Sequence, residues 1–170
     1  MAGSEKRLKQ LEERLKGGNT GVVIDTINAL RDQEPCEGII GLLTELYNSS
    51  PNTIIRKRIQ DFMNDMKDRS LRGEIIAELR KEFKPDTIRM LVSSCWQSGL
   101  DYSEWAPDFA MIFGTCDLGT AIECFTVIEG CSHLIPKKTR DHIIILLREN
   151  PELRTSNKSA LMLELVSVLS

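Results

Sequence analysis

A spacing constrains this chain more than any other feature. Shifted against itself by 33 residues, the sequence brings apolar positions into columns. Val22, Ile55, Ile88 and Ala121 form one column, and Ala29, Phe62, Cys95 and Ile128 form another. Leu30, Met63 and Trp96 form a third, which ends at Glu129; Ile59, Val92 and Phe125 form a fourth, preceded by Thr26. The intervening segments obey the same shift through Leu43, Ile76 and Phe109, and through Leu46, Leu79 and Ile112. Self-similarity at a period of about 20 to 50 residues marks repeated supersecondary units. One amphipathic helix pair cannot bury its own apolar face, so such units are expected to stack side by side.

The punctuation is helical. Ten apolar-periodic segments are expected as helices near 4–16, 20–31, 37–48, 53–66, 71–83, 87–97, 104–114, 118–130, 137–149 and 158–169. They stop at Gly17-Gly18, Asn48-Ser49-Ser50-Pro51, Lys84-Pro85, Gly99, Gly130 and Asn150-Pro151. Glycine tolerates the left-handed cap conformation, and proline lacks the N–H that continues a helix. Asn19, Asn52, Asp86, Asp117 and Asn157 are expected to cap the starts through side-chain oxygens. No segment alternates with a two-residue period beside a hairpin turn, so no sheet is expected. The last pair needs extra residues, absorbed by Pro151 to Ser156.

The ankyrin pattern T-P-L-H-x-A and the tetratricopeptide pattern W-x-x-L-G-x-x-Y are both absent. Degenerate helix pairs with Asn or Asp caps and no aromatic signature resemble HEAT-like (armadillo-type) α-solenoid repeats, over nearly the whole chain. The resemblance implies an all-α fold, a right-handed α-α superhelix of about five antiparallel helix pairs. It also implies a binding scaffold or adaptor rather than a catalyst, with other proteins as the usual partners. The HEAT-like alkylpurine DNA glycosylases supply the alternative, a nucleic-acid-binding protein with a basic concave surface. No catalytic position of theirs is matched here.

Composition bounds the rest. At 170 residues the chain is expected to form a single domain, 1–170, large enough to bury a core without staples. Its 22 Lys and Arg against 25 Asp and Glu give a net charge of −3, unlike the basic balance of a general nucleic-acid binder. Met1 to Lys16 is charged throughout and no apolar run approaches a bilayer span, so a cytoplasmic protein with no membrane contact is expected. The five cysteines lack any C-x-x-C pair. Cys124, Ile128 and Cys131 share a helix face, so buried, reduced thiols with no metal and no cofactor are expected. Gly17-Gly18-Asn19-Thr20-Gly21 lacks the lysine of a phosphate loop and reads as a helix end followed by an Asn cap. Neither H-E-x-x-H nor G-x-S-x-G occurs, which leaves no catalytic site to name.

Two charge features remain. Between Arg89 and Lys137 there is no Lys or Arg, while six acids fall there: Asp101, Glu104, Asp108, Asp117, Glu123 and Glu129. The same stretch holds both tryptophans. Aromatic anchors in a field of one sign suit a protein-binding patch, so Trp96, Asp101, Tyr102, Glu104, Trp105 and Asp108 are the candidate partner-binding residues, for a basic protein. Tyr102 and Trp105 are expected to be the anchors. The second feature is basic: Arg56, Lys57 and Arg58, with Lys137, Lys138 and Arg140, open two helices where cations oppose the helix dipole. These six are the anion-binding candidates of the nucleic-acid alternative.

Overall fold

A computed structural model describes residues 2–170, with side chains from Gly3 onward. Eleven helices follow in chain order: α1 (Ala2–Gly17), α2 (Thr20–Leu30), α3 (Ile39–Ser49), α4 (Thr53–Asn64), α5 (Arg72–Leu79), α6 (Pro85–Gln97), α7 (Ala106–Thr115), α8 (Leu118–Cys131), α9 (Lys137–Glu149), α10 (Pro151–Thr155) and α11 (Ser159–Leu169). Short 3-10 turns lie at Arg69–Leu71, Ser103–Trp105 and Ser132–Leu134. No strand occurs among the described residues. The all-α class and all ten expected helices are therefore present. The eleventh, α10, lies in the segment read as an insertion. No helix among the described residues is long and apolar enough to cross a membrane.

Local chemistry explains most of the ends. Asn19 accepts a hydrogen bond from the Val22 N–H, Asn52 from Ile54 and Ile55, and Asp117 from Thr120. Each satisfies a first-turn donor that the helix itself cannot, worth about 1 kcal/mol. Two expected caps are corrected. Asp86 falls inside the first turn of α6, because Pro85 takes the leading position it suits. Asn157 does not cap α11, whose flanking residue is Lys158; Asn150 instead caps α10, 3.0 Å from the Glu152 N–H. Gly99, at φ +70°, ends α6 in the left-handed region where a side chain would be strained.

The chain divides into two compact units, the first ending at Thr87 and the second comprising Ile88–Ser170. In the first, α1 packs on α2 and α3, α2 on α4, and α3 on α4 and α5. Its centre is Ile27, Ile40, Leu43, Ile59, Met63 and Ile75, all fully buried. In the second, α7 packs on α8 and α9, while α11 packs on α8, α9 and α10. Leu91, Phe109, Phe113, Cys124, Ile128, Ile143 and Leu165 fill its core. Most column positions are buried, Leu43, Ile76 and Phe109 among them. Val22, Leu46, Ile88, Ile112 and Phe125 are half-buried, and two are exposed: Ala29, since a single methyl carries little drive to bury, and Trp96, at 43%.

Candidate functional site

The acidic, aromatic stretch folds into one end of the second unit. α6 delivers Trp96 on its last turn. The left-handed Gly99 then reverses the chain, so that Leu100, Asp101 and Tyr102 pass beside the end of α6. Together with Val127, Cys131 and Leu134 they enclose a cavity of about 200 Å³.

Trp96 is fixed from α8. Its indole N–H donates to Glu123 Oε2 at 2.6 Å, and Glu123 Oε1 lies 3.9 Å from Arg89 Nε. The absence of a side chain at Gly119 admits Arg89: a Cβ there would stand 2.7 Å from its guanidinium. Asp101 has a local task, accepting the Ser103 N–H at 2.8 Å and so starting the 3-10 turn, yet it remains exposed. Glu104 is exposed on that turn. Asp108 sits half-buried in the first turn of α7, where a carboxylate favours the helix dipole by about 0.3–1 kcal/mol.

The reading of Tyr102 as an accessible anchor is corrected. It is 1% exposed. Its ring meets Phe109 edge-on at 6.1 Å and tilts against Trp105 at 5.9 Å. A buried phenol packed on two rings belongs in a core. Trp105 is half-buried against it. Trp96, Asp101 and Tyr102 thus share the cavity, whereas Glu104, Trp105 and Asp108 join it only through the Tyr102 ring contact. Trp96, placed in an apolar column, is the exposed tryptophan.

The thiols around this end are inert in character. Burial pushes the Cys95 thiol up and likewise raises Cys131 to about 11. Both stay protonated at neutral pH.

The basic candidates are largely engaged within the molecule. The Arg56 guanidinium pairs with Asp86 and lies 4.3 Å over the Tyr47 ring, and Lys57 pairs with Asp61. Arg58 is exposed and has no ion-pair partner among the described residues. Consecutive helical residues point about 100° apart, so three in a row cannot make one patch. Lys137 pairs with Asp141 at 2.8 Å, Lys138 is exposed and Arg140 is half-buried. Asp65, near the first basic run in sequence, pairs instead with Arg31.

Sequence reasoning missed Arg89, Glu123, Cys131 and Leu134 as neighbours of the site. Glu123 stood among the acids of the stretch, but no local pattern links it to Trp96, 27 residues away. Leu134 carried no signal, since its 50% exposure follows from the turn after α8. In comparisons with protein-family models, with curated proteins and with solved structures, nothing matches this chain.

Proposed function

We propose that the chain is a non-catalytic protein-binding scaffold of the HEAT-like type, and that it takes a basic segment of a partner protein on the acidic, aromatic end of its second unit. The observation that carries this reading is Trp96. Its ring is 43% exposed, yet Glu123 holds it in one orientation beside an apolar cavity with Leu134 open at the rim. An anchor oriented before binding loses little rotamer freedom on contact. Asp101 and Glu104, both exposed, would steer a cationic partner. A stack of helix pairs is supported by the 33-residue columns and by packing between helices adjacent or next-but-one in sequence, such as α1 on α2, α2 on α4, α3 on α5 and α7 on α8 and α9. The groups at the cavity suit binding better than acid–base chemistry: a carboxylate capping a turn, a buried phenol, and thiols raised by burial.

A Lys- and Arg-rich helical peptide, titrated against the full chain and followed by tryptophan fluorescence, tests the proposal. Trp96→Ala is expected to weaken binding by about 2 kcal/mol or more. Asp101→Asn and Glu104→Gln are expected to matter less, and mainly at low salt. Unchanged binding by Trp96→Ala would reject this surface. Retention of DNA at low salt, without retention of the peptide, would put the nucleic-acid alternative in its place.

A further inference from the structure

Two cavities of this chain occupy equivalent places, two periods of 33 residues apart in sequence. One, of about 330 Å³, lies in the first unit; the other is the cavity of about 200 Å³ beside Trp96. Their linings correspond position by position. Leu30 stands where Trp96 does, Pro35 where Asp101 does, and Asp65 where Cys131 does. Each cavity lies at the carboxyl ends of two helices, α2 and α4 in the first unit and α6 and α8 in the second.

That placement has an electrostatic consequence. The carboxyl end of a helix is the negative end of its dipole, so a cavity that collects two such ends favours a cation. The first unit supplies cations of its own. Arg31, just past α2, lines its cavity and pairs with Asp65 at 2.5 Å, and Lys67 lines it as well. The second unit does not. Among the described residues, Asp101 is the charged side chain of the Trp96 cavity, and no Lys or Arg lines it. The same place in the fold is thus filled with both signs in one unit and left with one sign in the other.

The rest of the lining describes what the missing cation is attached to. The Trp96 indole N–H is spent on Glu123, so the indole offers a ring face, which attracts a cation. Leu100, Val127 and Leu134 supply apolar wall. A volume of about 200 Å³ is below the roughly 300–1,000 Å³ of small-molecule pockets and suits one side chain. Lysine matches this lining better than arginine. It lays a long apolar stem along apolar surface and ends in a compact head, whereas a guanidinium brings five donors in a plane to a single carboxylate.

We propose, resting on the reading of this end as a protein-binding surface, that the cavity takes one lysine side chain of the partner, its stem on Leu100, Val127 and Leu134 and its ammonium between the Trp96 ring and Asp101. The affinity of the basic segment then resides largely in one residue, and the other cations of the partner add to the rate of encounter.

Magnetic resonance of the full chain, titrated at constant ionic strength with n-butylammonium, a lysine side chain cut free of its backbone, tests this. The indole N–H signal of Trp96, identified by its loss in Trp96→Phe, is expected to shift saturably at about millimolar concentration. Butan-1-ol, similar in size and uncharged, is expected to bind about tenfold more weakly. In Asp101→Asn, whose amide keeps an oxygen for the Ser103 N–H, that preference is expected to shrink about threefold. Equal affinity for the amine and the alcohol, or a Trp96 signal that neither moves, overturns the proposal. Tighter binding of n-propylguanidinium overturns the choice of lysine. The underlying reading fails separately. A Lys- and Arg-rich peptide that binds through Trp96 when n-butylammonium does not leaves the surface standing and overturns the lysine cavity. Binding of n-butylammonium over butan-1-ol without binding of the peptide supports the cavity and rejects the surface.

Discussion

Ile54 is the one large apolar side chain left well exposed among the described residues of the first unit, whereas the second leaves Trp96, Met111, Ile122, Leu134, Ile145, Leu146 and Leu163 open to solvent. Charge follows the opposite course. Arg31–Asp65, Arg56–Asp86, Lys57–Asp61 and Lys81–Glu78 pair within the first unit, while the segment between Arg89 and Lys137 holds no Lys or Arg to pair with its acids. Surface ion pairs add little stability, but they leave little unsatisfied for a partner. Exposed apolar side chains do leave something unsatisfied. The comparison teaches that the exposed apolar side chains are concentrated in the second unit, and that Arg56 and Lys57 of the first unit's basic run are paired internally.

The largest expected effect lies under the tyrosine–tryptophan turn. Phe109 is fully buried and supports Tyr102 edge-on, so Phe109→Ala is expected to cost about 3–5 kcal/mol, read as a lower urea midpoint with an unchanged slope. A loss below about 1 kcal/mol would show that this end of the unit is loosely packed and would break the comparison at its base. Next comes Lys158→Met. It keeps the stem and leaves three carbonyls of the α7 end without their donor, for an expected loss of about 2–3 kcal/mol in the same measurement.

The caps should make the units alike. Asn52→Ala in the first and Asp117→Ala in the second each remove one N-cap, and each is expected to cost about 1 kcal/mol. A large inequality would show that one helix start carries tertiary contacts the other lacks. The smallest effect belongs to the Arg56–Asp86 pair. Arg56 holds the Asp86 carboxyl below its ordinary value, so its contribution is present above the ordinary carboxylate range and is lost as pH falls through the folded value. Asp86 is 52% exposed, so Arg56→Gln is expected to lower stability at pH 7 by less than about 1 kcal/mol and to flatten the acid side of a stability-versus-pH curve. An unchanged acid limb would show that the pair does not persist in solution.

Much of the helical order was legible. The starts at Thr20, Thr53 and Leu118 follow from Asn19, Asn52 and Asp117, because a cap bonds a backbone group only two or three residues away. The candidate site was legible by composition and not by arrangement. The stretch from Trp96 to Asp108 was correctly marked as aromatic and acidic, but the roles of its rings were exchanged: Tyr102 is core and Trp96 is surface. Period and composition report how apolar a position is. They do not report which neighbour has room for a ring, or where an indole N–H finds its acceptor.

By itself, then, the sequence determined the helices, their main stops, the acidic and basic stretches and the absence of a recognisable catalytic motif, all of which depend on residues a turn or two apart. Only the tertiary structure decided the burial of Tyr102, the anchoring of Trp96 by Glu123 and the reach of Lys158 to a carbonyl 45 residues away. Such contacts are chosen by the packing of whole helices against each other. A buried donor must find its acceptor wherever the fold presents one, and the chain carries no local mark of where that will be.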